Sequence, residues 1–305
     1  MDKMQFNEFK NEIVAKIREY LPETFKDAEV SLQVVQKNNL ELTGIVIRSI
    51  ASNISPTIYL DSFYSQYESG EGMSEILQKI AEVRVNHELE DNFDVECITN
   101  WERCRERIIP RIVGIKGNKA LLKERVHKII ADLAITYCIL LEGFLELEDG
   151  EMTVPVTNQL MNSWGLMVDE LHEAAIKNMP TLVPSTFRSM AEVMKDMLAM
   201  SDEEYEMLPM SSDEQMFVLT NELKVNGATA ILDTDLMLAI FEKIGEFYIL
   251  PSSIHEVLIV PMSSNMQADD LRAMVKEVND SQVAPEDRLS YEVYTYNSED
   301  GFCIA

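Results

Sequence analysis

Four side chains that could take part in hydrolysis lie together between two apolar runs of the sequence. The apolar runs are Phe247–Leu250 and Val257–Val260, which have the length and the β-branched content of buried strands. Between them the chain supplies two hydroxyls, an imidazole and a carboxylate, on Ser252, Ser253, His255 and Glu256. A turn that joined the two strands would present these groups to solvent or to a cleft. The pattern therefore makes residues 251–256 the first candidate site.

An imidazole beside a hydroxyl and a carboxylate is the combination that nucleophilic hydrolysis uses, here with His255 as base and Ser252 or Ser253 as nucleophile. The sequence has no Gly-x-Ser-x-Gly elbow, however, and neighbours such as His255 and Glu256 point to opposite faces of an extended segment. Alternatively, the serines bond the backbone of the turn and His255 is a satisfied polar residue at a strand start. The pattern favours this structural role.

A second candidate site is the basic strip, which we define as residues 101–128. It holds nine basic and three acidic residues in a chain whose formal net charge is −27. Such a strip could contact an anion or an acidic partner, and the residues singled out for binding are Arg103, Arg105, Arg107 and Arg111. The alternative, which we favour, is that the strip pairs with the chain's own acidic side chains or is simply solvated. Trp101 is its only aromatic residue, so base stacking on single-stranded nucleic acid is poorly supported.

Metal and nucleotide motifs are incomplete in this sequence. His172 begins the pattern His-Glu-x-x-Ala, which lacks the second histidine of a zinc-protease helix. Segment 114–119 lacks the spacing of a phosphate-binding loop, and segment 202–206 lacks the spaced oxygens and central glycine of a calcium loop. The four cysteines have no Cys-x-x-Cys spacing, so free thiols are expected. We therefore predict no metal and no cofactor.

The composition restricts the classes of partner. Apolar residues make up 46% of the 305-residue chain, which is enough for a large core. The excess of acidic residues, 53 against 26 basic ones, disfavours binding to nucleic acid or anionic lipid over most of the surface. Residues 1–13 lack the apolar region of a signal peptide, and no apolar run reaches the length of a membrane span, about 18 residues. We expect a cytoplasmic protein, outside the membrane, whose partner is another protein.

In the first part of the chain the pattern predicts helices around a β-hairpin. Apolar and polar residues alternate from Glu29, the chain turns at Asn38-Asn39, and a second strand returns to Ile47. The predicted helices are 5–21, one that begins at Asp61 as N-cap and ends at Gly70, and 73–89.

From residue 129 onward a pattern of strand, tight turn, strand and helix occurs twice. The apolar run at Ile129–Leu141 predicts a buried strand or strand pair, and the Asp-Gly pair at Asp149-Gly150 predicts a turn. Later, Asn226-Gly227 predicts a turn into a strand at 228–232, which a helix follows. A duplication of a ββα unit would explain the recurrence, and so would chance, since such units are common.

A methionine-rich helical insert, assigned to residues 158–214, separates the two units. Met190, Met194 and Met197 recur at helical spacing, which is more typical of adaptable core than of a ligand surface. Pro180 is predicted to break the preceding helix. The last predicted elements are an exposed acidic segment at 200–214, a helix at 267–279, a strand at 291–296 and a lightly docked tail at 297–305.

Together these elements predict an α+β protein, in which helices pack on one face of antiparallel hairpins. A boundary near residue 125 would give an N-terminal lobe over residues 1–125. The remaining residues, 126–305, would form a larger C-terminal α+β lobe that carries the helical insert.

Five phrases of the sequence carry a resemblance to a protein family. They are PTIYLDSFYSQYESG, LVPSTFRSMAEVM, VLTNELKVNGATAIL, FYILPSSIHEVLIVP and LSYEVYTYN. In this order the chain resembles an uncharacterised domain-of-unknown-function family of bacterial intracellular proteins, and LPSSIHEV is the most specific phrase. The resemblance covers nearly the whole chain and implies neither an activity nor a role for any residue.

Three hypotheses for the function follow. The leading hypothesis is a non-enzymatic cytosolic protein that binds another macromolecule, because no catalytic or cofactor motif is complete, the charge is segregated and the insert is rich in methionine. The alternative is a hydrolase that uses His255 with Ser252 or Ser253, which predicts a cleft at the turn 251–256. The third is an acidic mimic of nucleic acid, which predicts carboxylates ordered along one face at phosphate-like spacing.

Overall fold

A computed structural model describes residues 3–49, 55–87, 93–141, 153–199, 216–264, 266–297 and 301–305. The chain divides into two compact units, Met1–Val95 and Glu96–Ala305. Both contain helices and antiparallel sheets, which confirms the predicted α+β class. The boundary predicted near residue 125 falls inside the second unit, because strands on either side of it, Ile108–Gly114 and Leu133–Leu140, pair with each other.

The first unit is a three-stranded antiparallel sheet with helices packed on it. Its strands, which neighbour one another in the order β1-β2-β3, are β1 (Glu29–Lys37), β2 (Leu40–Arg48) and β3 (Thr57–Tyr59). Its helices are α1 (Phe6–Lys16), α2 (Leu60–Ser69) and α3 (Met73–Asn86), with short 3-10 helices at Ile17–Tyr20 and Glu23–Phe25.

The predicted hairpin is present as β1 and β2. The pairing runs from Lys37 opposite Leu40 at the tip to Glu29 opposite Arg48 at the open end. Asn39 has a φ of 57°, a left-handed conformation that asparagine tolerates better than most residues. The predicted turn at Asn38-Asn39 is therefore confirmed.

The core of the first unit lies between α1 and the sheet. Phe9, Ile13 and Ile17 follow one another at intervals of four, so they share one helical face, and all three are fully buried. They belong to one apolar cluster with Ile45 and Ile47 of β2. Burial of each such side chain contributes about 1.5–3 kcal/mol, so this cluster fixes the helix on the sheet.

The start of α2 differs from the prediction. Tyr59 occupies the N-cap position, and Asp61 lies within the first turn. The Asp61 carboxylate instead accepts a hydrogen bond from the backbone N–H of Thr43 at 2.8 Å, so a contact with the sheet displaces it from the capping role. The predicted end of the helix is confirmed, since Gly70 has a φ of 111°.

The second unit holds the remaining helices and ten strands of the described residues. Its strands are β4 (Ile108–Gly114), β5 (His127–Ile130), β6 (Leu133–Leu140), β7 (Thr153–Pro155), β8 (Ser185–Ser189), β9 (Phe217–Asn221), β10 (Phe247–Pro251), β11 (Val257–Pro261), β12 (Tyr294–Asn297) and β13 (Gly301–Ile304). Its helices are α4 (Glu96–Thr99), α5 (Trp101–Cys104), α6 (Lys119–Glu124), α7 (Asn158–Trp164), α8 (Val168–Leu182), α9 (Met190–Met197), α10 (Thr234–Ile244) and α11 (Ala268–Ser281), with 3-10 helices at Arg105–Arg107, Gly227–Leu232, Met262–Ser264 and Pro285–Asp287.

Two antiparallel sheets organise this unit. One has four strands, with the order β4-β6-β5 and β7 also paired to β6, and the other has six, in the order β13-β12-β10-β11-β9-β8. The central hairpin of the larger sheet runs from Phe247 opposite Pro261 to Pro251 opposite Val257. The two predicted strands that flank the candidate turn are therefore confirmed, and so is the predicted strand pair within Ile129–Leu141, as β5 and β6.

The predicted repeat of a ββα unit is wrong in its second copy. Residues Gly227–Leu232 form a buried 3-10 helix rather than a strand. Asn226 does turn the chain, with a φ of 52°, but the backbone of the next residue packs against the β9 strand and the candidate turn instead of starting a hairpin. The turn predicted at Asp149-Gly150 lies outside the described residues.

Three further predictions are corrected. α8 continues through Pro180 to Leu182, where the proline removes one hydrogen bond from only the last turn. The helical insert is interrupted by strand β8, and its residues 200–214 lie outside the described residues. The tail forms β13, which pairs with β12, and the Phe302 ring stacks on Tyr294 with 4.6 Å between centroids.

Candidate functional site

The candidate turn, Ser252–Glu256, joins β10 to β11 at one end of the larger sheet. Its residues are all half-buried. The His255 ring contacts two groups from distant parts of the sequence: Nδ1 accepts the backbone N–H of Asn226 at 3.2 Å, and Nε2 lies 3.1 Å from Oδ1 of Asp287. Because a ring nitrogen that accepts an N–H carries no proton, this network assigns the proton of a neutral ring to Nε2, which donates to Asp287.

The two serines form hydrogen bonds within the turn. Ser253 Oγ accepts the backbone N–H of His255 at 3.0 Å, and Ser252 Oγ donates to Glu256 Oε1 at 3.4 Å. The Ser253 backbone N–H donates to the Glu256 carbonyl at 3.1 Å, which closes the turn. The hydrogen bonds of the described residues thus join neither hydroxyl to the imidazole, the contact that the hydrolase hypothesis requires.

The turn is also tied to β9 and to the loop that follows it. Thr220 Oγ1 donates to the His255 carbonyl at 2.7 Å, and the Ala228 N–H donates to the Ile254 carbonyl at 3.1 Å. A Cβ atom at Gly227 would lie 2.1 Å from Thr220 Oγ1 and 2.5 Å from the His255 carbonyl oxygen. Only glycine fits this close approach, so the Asn226-Gly227 pair serves tertiary packing as well as the turn.

The four arginines proposed for binding differ in exposure, from exposed Arg103 and Arg105 to buried Arg111. Arg103 pairs with Glu96 at 3.2 Å and Arg105 with Glu102 at 3.2 Å, both through half-exposed guanidinium groups. Arg107 donates to the carbonyls of Cys97 and Arg103 at 3.1 and 3.0 Å. Arg111 is buried in β4, where its guanidinium donates to the Pro110 carbonyl at 3.2 Å. Local partners therefore engage all four groups, two through carboxylates and two through backbone carbonyls.

A cleft of about 640 Å³ opens beside the candidate turn. Strands β8 and β9 form its floor and helix α9 forms one wall, so we call it the β8–α9 cleft. Its lining residues are Thr186, Arg188, Met190, Val193, Asp196, Met197, Val218, Thr220, Asn221, Glu222, Lys224 and Glu256. Glu256 belongs to both the turn and the cleft, so the turn that the sequence singled out forms one end of a concave surface.

Helix α9 is fixed against the strands by its N-terminal cap. The Ser189 hydroxyl accepts the N–H of Glu192 at 3.2 Å, and the Glu192 carboxylate accepts the N–H and the hydroxyl of Ser189, each at 2.9 Å. These bonds to the carboxylate lower the pKa of Glu192. The Met190 N–H donates to the Met216 carbonyl at 2.8 Å, which anchors the helix start next to β9.

Charged groups of both signs line the cleft. Arg188 pairs with Asp196 at 2.7 Å and donates to the Glu192 carbonyl at 3.2 Å, so residues of the cleft itself balance its charge. Lys224 lies at the rim in a left-handed conformation, with a φ of 55°, which a lysine adopts only where surrounding structure imposes it. Two cations and three acids, which include Glu222 and Glu256, give the cleft a slight negative charge.

Comparison with known proteins places the chain in a family. The model of DUF5688, a family of unknown function, matches residues 6–298. The chain belongs to this family. The resemblance to an uncharacterised family, inferred from the five sequence phrases, is therefore confirmed, and the bacterial and intracellular origin stays a prediction. No curated protein and no solved structure matches the chain.

The methionines of this DUF5688 chain do not form the core stripe that their spacing predicted. Met197 is 78% exposed and Met194 is also exposed, as is the next apolar residue, Leu198. Ala191 is the buried residue of α9, because the helix lies over the edge of the sheet and covers it with a narrow face. Sequence spacing established the shared face, but it could not establish whether that face meets the core.

Two half-buried polar contacts elsewhere in the second unit were not predicted from the sequence. The hydroxyl of Tyr137, a fully buried residue, lies 3.0 Å from Nδ1 of His172, and burial, then the nearby Lys128, lowers the pKa of that histidine. The Asp132 carboxylate accepts hydrogen bonds from Tyr294 at 2.5 Å and from Ser290 at 2.7 Å. Each contact joins segments distant in sequence, so no local pattern indicates it.

The parts of the chain that the structure describes contain no cluster of three or more histidine, cysteine or carboxylate side chains that could hold a metal ion. None of their helices is both long and apolar enough to cross a membrane. All four cysteines are free thiols, and burial raises the pKa of Cys104 to about 11, so this thiol is protonated at neutral pH.

Proposed function

We propose that this DUF5688 protein is a non-enzymatic protein of the cytosol that binds another protein through the β8–α9 cleft. The observation that carries the proposal is the exposure of methionine on the cleft wall, with Met197 at 78%. Apolar side chains that line a concave surface and remain open to solvent are typical of binding sites. Free thiols and an acidic composition agree with a reducing cytosol.

Methionine suits a site that grips an apolar anchor of a partner. Its unbranched side chain has three rotatable bonds and a polarisable sulfur, so it adapts to different shapes. Met190, Val193 and Met197 follow at spacings of three and four, which places them on the same side of α9 toward the cleft. A side chain inserted between them and Val218 would contact apolar atoms on both sides.

The charges of the cleft favour a partner segment with a basic residue beside its apolar anchor. Arg188 is neutralised by Asp196, which leaves Lys224 against Glu222 and Glu256. A lysine or arginine of the partner could reach these two carboxylates while its neighbour occupies the apolar part. The formal charge of −27 on the whole chain would favour approach of such a basic segment as well.

The proposal is tested with a matched pair of exposed methionines. Met197→Glu puts a charge on the cleft wall, whereas Met167→Glu puts the same charge on a residue that is 70% exposed and lies outside the cleft. Proteins captured from the native cytosol by the wild-type chain would be identified, purified and titrated against the three chains by calorimetry. We expect at least a tenfold loss of affinity for Met197→Glu and no change for Met167→Glu.

A captured protein that binds all three chains equally would refute the role of the cleft. A double variant, Arg103→Glu with Arg105→Glu, tests the competing contact surface on the basic strip, and loss of binding there alone would move the site to residues 101–128. The hydrolase and nucleic-acid-mimic hypotheses stay predictions, and no additional observation on the described residues favours either.

A further inference from the structure

The outer edge of β1 in the first unit has no strand paired to it within the described residues. Along its other side β1 pairs with β2 over all nine of its residues. It contains no proline and no charged residue between Glu29 and Lys37, its two ends. Natural proteins protect long edge strands with prolines, bulges or central charges, because an open edge pairs with other strands. The unprotected edge of β1 thus points to a pairing function.

Exposed apolar side chains lie along the same edge. Leu32 is 37% exposed and Val34 is 64% exposed. Leu32 is directly opposite Ile45 in the hairpin, and directly opposite residues share a face, so both lie on the face that carries the core residues Ile45 and Ile47. The apolar face of the sheet therefore extends past its covered part as far as the outer edge of β1.

We propose that β1 pairs with β1 of a second copy of this chain, antiparallel and about a two-fold axis at Gln33. In this register Glu29 is opposite the partner's Lys37, Leu32 is opposite the partner's Val34, and Gln33 is opposite its own counterpart. The two three-stranded sheets become one continuous sheet of six strands, and the exposed apolar residues of both copies meet on the same face. The interface is isologous, as in most homodimers.

Charge and side-chain alternation select this register. It pairs all nine residues of the strand and places a carboxylate opposite an ammonium group at both ends of the interface. A slip by one residue would place the core face of one sheet beside the opposite face of the other, and a slip by two would leave both charged residues without their partners. Glu29 also pairs with Arg48 of its own hairpin, so each end would hold a network of three charges.

Disulfide trapping tests the register directly. Directly opposite residues of an antiparallel pair have Cβ atoms about 4.5–5.5 Å apart, so Gln33→Cys is expected to link two full-length chains under mild oxidation. The matched control is Ser31→Cys, on the same strand, on the same face and also exposed. In the proposed register two residues at position 31 are four strand positions apart, about 14 Å, and cannot form a disulfide.

The four possible results are all decisive. Selective cross-linking of Gln33→Cys supports the proposal. Equal cross-linking of both variants indicates random collision, selective cross-linking of Ser31→Cys indicates a different register, and cross-linking of neither indicates that the edge does not meet its own copy. Each of the last three overturns the proposal.

Sedimentation equilibrium of the full-length chain, without introduced cysteines and under reducing conditions, gives an independent test. Glu29→Lys or Lys37→Glu alone places like charges opposite each other, and we expect the dimer dissociation constant to rise at least tenfold. The double variant with both changes restores opposite charges, so its constant is expected to return toward the wild-type value. Val34→Lys is expected to abolish the dimer, while Ile129→Lys, at an exposed apolar position of β5 in the other unit, is expected to leave it intact. A wild-type chain that is monomeric at every concentration, or a dimer indifferent to these changes, would refute the pairing.

Discussion

Replacing His255 by alanine separates a structural role of this residue from a catalytic one. In the hydrolase hypothesis, His255→Ala folds normally and loses activity. In the structure, the imidazole is a bridge between the candidate turn, the loop at Asn226 and the 3-10 helix that contains Asp287. The structural role therefore predicts that His255→Ala is less stable than the wild-type chain.

The size of the effect follows from the two contacts that are lost. The half-buried N–H of Asn226 loses its acceptor, which costs about 1–2 kcal/mol. The contact with Asp287 adds at most about 1 kcal/mol, since both side chains are more than a third exposed and solvent screens the pair. The free energy of unfolding should fall by about 1–3 kcal/mol in total.

Urea unfolding of the full chain, followed by far-UV circular dichroism and tyrosine fluorescence, measures this difference. For an m-value of about 3 kcal/mol per M, a loss of about 1–3 kcal/mol lowers the midpoint by about 0.3–1 M. His127→Ala is the matched control, because His127 belongs to the same unit and its ring contacts only the nearby Arg125 carbonyl at 2.9 Å in the hydrogen bonds of the described residues. We expect the midpoint of His127→Ala to move by less than half as much.

An unchanged midpoint for His255→Ala would refute the structural role. It would mean that the turn keeps its conformation without the bridge, and the imidazole would then be available for another task. A large loss for both histidine variants would also contradict the reasoning, since the effect would not depend on the contacts that distinguish the two residues.

Two further predictions concern the half-buried polar contacts. The pKa of His172 is lowered in the folded chain. As pH falls below about 6.5, the imidazole therefore binds a proton more readily in the unfolded chain than in the folded chain, and the free energy of unfolding decreases. Between pH 7 and pH 5, the free energy of unfolding measured in urea is expected to fall less for His172→Gln than for the wild-type chain. An equal fall with pH in both chains would contradict this. Asp132→Ala removes the acceptor of two hydroxyls and is expected to cost about 3–5 kcal/mol, against about 1.5–3 kcal/mol for Tyr294→Phe, which removes one of the two bonds. If chemical denaturation showed that both variants lose the same free energy of unfolding, the Ser290 hydrogen bond would contribute nothing to stability.

Local patterns predicted much of the secondary structure. The hairpin of β1 and β2 was predictable because alternation fixes the strand faces and Asn39 tolerates the left-handed turn. The strands around the candidate turn were predictable because short β-branched runs are stable only when buried in a sheet. The family, too, was recognisable from the sequence, since the five phrases lie between residues 56 and 297, within the match at residues 6–298.

The roles of the candidate residues depended on contacts that local patterns do not contain. The partners of the His255 ring are 29 and 32 residues away in the chain, so their meeting depends on how β9, β10 and β11 pair. Residues Gly227–Leu232 form a 3-10 helix, whose first residue lies against the Thr220 side chain and the His255 carbonyl, both distant in sequence.

By itself, the sequence determined the α+β class, the β1–β2 hairpin, the strands on either side of the candidate turn and the family, since each depends on neighbouring residues. Only the tertiary structure decided that Met197 lines a cleft and that no strand of the described residues pairs with the outer edge of β1. The physical reason is that the exposure of a helix face or a strand edge depends on what other elements cover, and that is set by packing between distant segments.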